Sequence, residues 1–140
     1  MKHFLSDKTL IVWSLAESRV VTKLRGNGHA ATYMVLTRPV LMVGGGDGEV
    51  HVWHVRRAEL MFRLNTCQAR ISCLSFRDDA VVAGDVRGNL IKRSLSNNDT
   101  NMVSPVIITK MTDAVRGVYL DQFNLVSLSF DGDCDVYDIW

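Results

Sequence analysis

Nowhere in the 140 residues do apolar side chains run to the 18 or more that a membrane-spanning helix needs. The opening residues, MKHFLSDK, also lack the apolar core of a secretory signal, so a cytoplasmic or nuclear location away from membranes is expected. Charge of one sign is missing too. Sixteen Lys and Arg against 15 Asp and Glu leave a net charge of +1, too little for the clustered basic face that nucleic-acid binding calls for. Cysteine is scarce and odd in number, and Cys67, Cys73 and Cys134 lack metal-ligand spacing; this argues for buried reduced thiols over disulfides or a zinc site.

Other absences bear on chemistry. The glycine run 44–46 has neither the Lys-Ser/Thr pair nor the following helix of a phosphate loop. Asp131, Asp133 and Asp135 alternate as calcium-loop carboxylates do, but the closing glutamate would fall past the last residue and no flanking helix is legible. His51 and His54 fall on opposite faces of one strand and cannot share a metal ion. His29 with Asp47 resembles half of a catalytic pair, yet no Ser or Cys sits in a nucleophile motif. The expectation is therefore a chain with no cofactor, no metal and no catalytic centre: not an enzyme.

What is present is a repeat. The segments SDKTLIVWSL, GDGEVHVWHV, DVRGNLIKRSL and FDGDCDVYDI each place a tight turn before an alternating strand. The position of Trp13 recurs at Trp53, Arg93 and Tyr137, spacings of 40, 40 and 44 residues. A period near forty built from short strands is the mark of a propeller, in which no single sheet buries its own faces. Within the second repeat the strands read as 33–36, 40–43, 49–54 and 60–64, with Val50 and Val52 on one face and His51 and Trp53 on the other. Asp47-Gly48 supplies the positive φ of the hairpin between its second and third strands. The third repeat reads as 71–76, 80–83, 89–93 and 103–109, and the last as 114–120, 125–129 and 135–139; the front offers only 9–13 and 20–24.

These residues resemble the WD-repeat family over nearly the whole chain. Gly28-His29 begins 25 residues ahead of Trp53, with the turn Asp47 six residues before that Trp. The resemblance implies a buried hydrogen-bond network that locks each blade, drawing here on His29, Asp47 and Trp53, with Trp13, Asp131 and Tyr137 in matching places of other repeats. Glycine at 44 or 45, where the family has Ser or Thr, leaves that network incomplete. Thr66-Cys67 replaces the Gly-His pair of the third repeat, Arg87 its turn Asp and Arg93 its Trp. The acid that follows the Trp survives only as Asp138; Ser14, His54 and Ser94 stand in its other places.

Two, four, four and three strands make thirteen, about three four-stranded antiparallel blades, whereas propellers commonly close with four to eight. The expected fold is all-β: an open, partial β-propeller. It divides into the end of a truncated blade (1–24), full blades at 25–64 and 65–109, and a last blade at 110–140 without its fourth strand. Such an arc leaves a blade face and a strand edge open to self-association, or to blades supplied by a longer chain or another subunit.

Function is expected in binding, since rigid strands hold variable loops over a broad rim. Arg70, Arg87 and Arg116 all fall near one rim, where they either form a grip for carboxylate or phosphate groups or stand as scattered solvated charges. Trp53-His-Val-Arg56 resembles the box by which some WD-repeat proteins dock on the cullin 4 adaptor, with Arg56 three residues after the Trp and His54 where the box has Asp. The resemblance thus implies a protein-binding scaffold, of the kind that recognises substrates in ubiquitin ligase complexes, taking acidic or phosphorylated peptides. An enzyme with a site in the propeller channel, or a truncated product without independent function, is the alternative.

Overall fold

Alternation of apolar and polar residues sets the local structure throughout. The computed structural model describes residues 2–4, 9–25, 30–95 and 105–138. Fourteen strands follow in order: β1 (Lys2–Phe4), β2 (Thr9–Ser14), β3 (Arg19–Arg25), β4 (Ala31–Thr37), β5 (Val40–Gly45), β6 (Glu49–His54), β7 (Glu59–Asn65), β8 (Ile71–Arg77), β9 (Ala80–Asp85), β10 (Asn89–Ser94), β11 (Val106–Lys110), β12 (Val115–Leu120), β13 (Asn124–Ser129) and β14 (Cys134–Asp138). They form four antiparallel sheets, β1-β2-β3, β4-β5-β6-β7, β8-β9-β10-β11 and β12-β13-β14, taken below as blades 1 to 4. No helix occurs among the described residues, and the fold is the expected open partial propeller. The front differs from expectation. Lys2–Phe4 pairs with β2, His3 opposite Ile11, which adds a third strand to blade 1. Three residues are too few to show alternation in a sequence.

The blades stack face to face because each middle strand sends alternate side chains both ways. Leu41, Val43 and Trp53 of blade 2 pack on Leu10 and Leu24 of blade 1. Met42, Val50, Val52 and Leu64 turn the other way, onto Ile71, Leu74, Val81, Ala83 and Ile91 of blade 3. Blade 3 then sends Cys73, Val82, Leu90 and Met111 onto Val115, Leu120 and Leu125 of blade 4. With both faces covered, β5 and β9 are buried at every position after their first residue, which is why they read as unbroken apolar runs. A fully buried Leu or Val in such a layer contributes about 1.5–3 kcal/mol.

Two polar details hold one blade to the next. The bulged residue after the start of each first strand carries a hydroxyl in blades 2 and 3. Thr32 Oγ1 donates to Gly44 O at 3.1 Å and to Ile71 O of the next blade at 2.6 Å. Ser72 Oγ repeats this with Gly84 O at 3.1 Å and Val115 O at 2.5 Å. Glycine is required on the facing strand, since a Cβ at Gly44 would lie 2.6 Å from Ile71 and one at Gly84 2.6 Å from Val115. The second-to-third-strand turns are in register as well: Gly48, Gly88 and Gly132 take φ of 84°, 87° and 95°. Each donates its N–H to the carbonyl three residues back, on Gly45, Asp85 and Ser129.

Candidate binding rim

Strand direction alternates, so the turns β5–β6, β9–β10 and β13–β14 share one end of the arc with the connections between blades. Backbone hydrogen bonds join them there: Gly46 N to Ala30 O, Cys67 N to Gly48 O, Val86 N to Arg70 O, Met111 N to Gly88 O, and Phe130 N to Ala114 O. This end is the rim. The opposite end carries the turns β2–β3, β6–β7, β4–β5, β8–β9 and β12–β13.

Of the arginines marked in the sequence, Arg70, Arg87 and Arg116 are exposed on the rim, and Arg56 is exposed in the β6–β7 turn at the opposite end. Arg70 and Arg87 flank a backbone bond, 3.0 Å from Val86 N to Arg70 O, which places their segments side by side over blade 3. Arg116 is one blade away, its guanidinium 5.9 Å from the centre of the Phe130 ring. Exposed carboxylates at Asp131 and Asp133 share blade 4's part of the rim. Over blade 3 the rim thus carries Arg70 and Arg87 with Asp85 buried at the base of the turn and the exposed Asp113 against Gly88, and over blade 4 charges of both signs.

The residues expected to lock the blades take several roles. His29 lies outside the described residues. Asp47 Oδ1 accepts the Glu49 N–H at 3.1 Å and so caps the turn. Trp53, only 6% exposed, packs among Leu10, Leu24, Leu41 and Val43, and its buried indole N–H has no acceptor among the described residues. Trp13 is half-buried on blade 1. Tyr137 packs beside the layer between blades 3 and 4, and its hydroxyl donates to Asp135 at 3.2 Å. Asp131 accepts from Ser129 Oγ, from Thr112 Oγ1 at 2.6 Å and from Asp133 N at 3.3 Å. Those bonds, that of Ser129 foremost, hold its carboxyl below the usual range.

Three polar features escaped the sequence. Asp85, with none of its surface exposed, caps the blade 3 turn from two residues before the expected position: Oδ1 accepts Arg87 N at 2.9 Å and Asn89 N at 3.0 Å, and Oδ2 accepts Asn89 Nδ2 at 2.9 Å. Arg93, in the place of a tryptophan, is 4% exposed and donates from Nη1 to Asn65 O at 2.6 Å; desolvation lowers its pKa. Ser14 and His54, where the repeat would have an acid, accept the N–H three residues on, Glu17 N at 3.2 Å and Arg57 N at 3.3 Å. Any short acceptor satisfies that turn.

Other clusters have ordinary explanations. Asp47, Glu49 and His51 bring one ligand atom each within 4.8 Å of one another, but Glu49 is already paired with His51 at 3.1 Å and Asp47 caps the turn. A cleft of about 170 Å³ at the opposite end sets Arg77 and Lys92 against Asp78, Asp79 and Asp121, a lining of mixed charge with one carboxylate in excess. Cys67 and Cys73 are buried as expected, whereas Cys134 is exposed: it lies on blade 4's outward side, which no other blade covers among the described residues. Burial, with the Asp85 charge adding to it, pushes the Cys67 thiol up to about 12; burial also lifts Cys73 to about 11 against the bond from Ser72.

No protein-family model matches the chain. No curated protein matches it either. Among solved structures it is similar to two computationally designed proteins. It aligns with Ika4 at 20% identity and a TM-score of 0.81, covering 99% of this chain and 84% of that one. With Ika8 the identity is 21% and the TM-score 0.81, covering 99% of this chain and 42% of that one, so this chain spans less than half of Ika8. At such identities the likeness is one of fold.

Proposed function

We propose that this chain is a non-catalytic protein-binding scaffold of the WD-repeat type, serving as the substrate-recognition or assembly part of a multiprotein complex such as a ubiquitin ligase. The rim over blade 3 takes an acidic or phosphorylated peptide segment. The observation that carries this reading is the pairing of Arg70 and Arg87 on hydrogen-bonded neighbouring segments, both exposed, with Arg116 on the next blade. Planar guanidinium groups match carboxylate and phosphate oxygens with paired N–H donors. Their backbones are held by the blade stack, so little ordering of loops accompanies binding.

Fluorescence anisotropy with a labelled peptide of alternating glutamate and phosphoserine tests the reading. Exposed charge pairs contribute up to about 1 kcal/mol each, so replacing Arg70, Arg87 and Arg116 together by Ala should weaken binding about tenfold or more. Arg56→Ala, at the opposite end, should leave binding unchanged. Equal affinity of the triple variant and the unaltered chain would refute the rim as the site.

A further inference from the structure

Blade 4 ends the stack with a face that its counterparts in blades 2 and 3 keep covered. Strand β13 alternates half-buried and buried along its length, covered on one side only. The register lines up Tyr119, Val126 and Val136 across the three strands, with Leu128 and Cys134 in the next row. Tyr119 is 64% and Val136 66% exposed. The register places Val126, Cys134 and Val136 where blade 2 has Met42, Val50 and Val52, all buried under blade 3. At the other end of the arc, Ile11 and Trp13 of blade 1 hold the positions of His51 and Trp53, which in blade 2 turn towards the preceding blade. Among the described residues Trp13 and Ile11 are only half-buried, while Trp53 is covered. The chain therefore carries both halves of its own repeat contact, one at each end.

We infer that a second copy of this chain covers these faces, blade 4 of each copy stacking on blade 1 of the other in a two-fold ring. Two arcs of four sheets make eight blades, within the four to eight at which propellers commonly close. Leu128 points to blade 1 as the occupant. Its counterparts Gly44 and Gly84 must lack a side chain because Ile71 and Val115, on the first strand of the following blade, press against them. Among the described residues blade 1 has no counterpart of β4, β8 or β12, so it brings no such residue, and a leucine is accommodated. Arg116 likewise replaces the Thr32 and Ser72 hydroxyls whose partner is that same first strand. Area agrees. A folded monomer of 15.7 kDa exposes about 7,300 Å² by size scaling, whereas this chain exposes 8335 Å². The excess, about 1,000 Å² over the two end faces together, is close to the roughly 800 Å² that each partner of a standard complex gives in total.

Sedimentation equilibrium on the chain, from nanomolar to high micromolar, tests the inference. The expected result is a reversible species of twice 15.7 kDa, about 31 kDa. Tyr119→Lys with Val136→Lys puts charges where burial would strand them, and should raise the dissociation constant at least about a hundredfold. Ile11→Lys on the facing blade should do the same, which keeps the test valid where one variant fails to fold. Protection of Cys67 and Cys73 from alkylation reports that a variant is folded, while Cys134 should alkylate more slowly in the dimer than in the monomer. A monomer at every concentration, an open-ended ladder of oligomers, or a dimer indifferent to both variants would overturn the inference.

Discussion

Asp85 should be worth about 3 kcal/mol of the fold, although it stands where the repeat pattern gives no reason to expect a carboxylate. Its two oxygens accept three hydrogen bonds, from Arg87 N, Asn89 N and Asn89 Nδ2, at 2.9 to 3.0 Å. A bond to a charged acceptor contributes about 1.5–3 kcal/mol. Arg87 is exposed and Asn89 half-buried, so water replaces part of what is lost in Asp85→Ala, and removing a buried carboxylate also relieves its desolvation. At the lower end of that range three bonds come to about 4.5 kcal/mol, and these two offsets bring the net loss to about 3 kcal/mol, from a total that for such domains is about 5–15. With a urea m-value of about 2 kcal/mol/M, the unfolding midpoint should drop by about 1.5 M at fixed protein concentration. A transplant sharpens the test. In blade 2 the same N–H, that of Glu49, is capped by Asp47, which folds back over Gly45: a Cβ there would lie 2.4 Å from the Asp47 oxygen. Asp85→Gly combined with Arg87→Asp copies this arrangement into blade 3 and should recover about half the loss, since the Asn89 side chain stays unserved. A loss below about 1 kcal/mol in Asp85→Ala, or a double variant no more stable than Asp85→Gly alone, would refute the reasoning.

Two further outcomes follow from the packing between blades. Gly84→Ala places a Cβ 2.6 Å from Val115, so the third and fourth blades must part, and thermal unfolding should show a loss of about 1–3 kcal/mol. Gly117→Ala, with nothing within 4 Å of its Cβ in a single copy, serves as the neutral comparison at protein concentrations below association. Stability should also fall in alkali. The native thiols of Cys67 and Cys73, held up to about 12 and 11 against an ordinary 9.0, keep their protons where the unfolded chain loses them. Their effect is nil below pH 9 and grows above it by about 1.4 kcal/mol per thiol per pH unit, until each folded value is reached. Urea midpoints from pH 8 to 11 should show this slope, and Cys67→Ala with Cys73→Ala should flatten it; an unchanged slope would contradict it.

Most of the fold was legible because period, turn chemistry and alternation agree. Asp47-Gly48 and Asp131-Gly132 marked their turns, the matching glycine of blade 3 is Gly88, and the unbroken apolar runs of β5 and β9 marked strands covered on both faces. The short β1 was invisible because three residues carry no period. The polar contacts were less legible, since a turn N–H accepts help from several positions. Asp85 caps from the place of Gly45, and Ser14 and His54 cap where an acid was looked for. Matching by position would pass over all three. Arg93 read as a lost tryptophan, whereas its guanidinium, reaching the Asn65 carbonyl, gives the buried site a partner that the sequence does not reveal. Arg70, Arg87 and Arg116 fall at one end because strand direction follows from counting turns. Which carboxylates would share that end depended on the loops around 113 and 131–133.

Hydrogen exchange read by mass spectrometry, as protein concentration is raised through the association range, tests the central claim most directly. That claim is that four stacked sheets leave their two end faces for a second copy. Exchange should slow with concentration in 115–138 and in 9–25, while 40–54 and 80–94, already covered on both faces, stay as they are. Uniform slowing, no change, or slowing confined to the rim turns would contradict it.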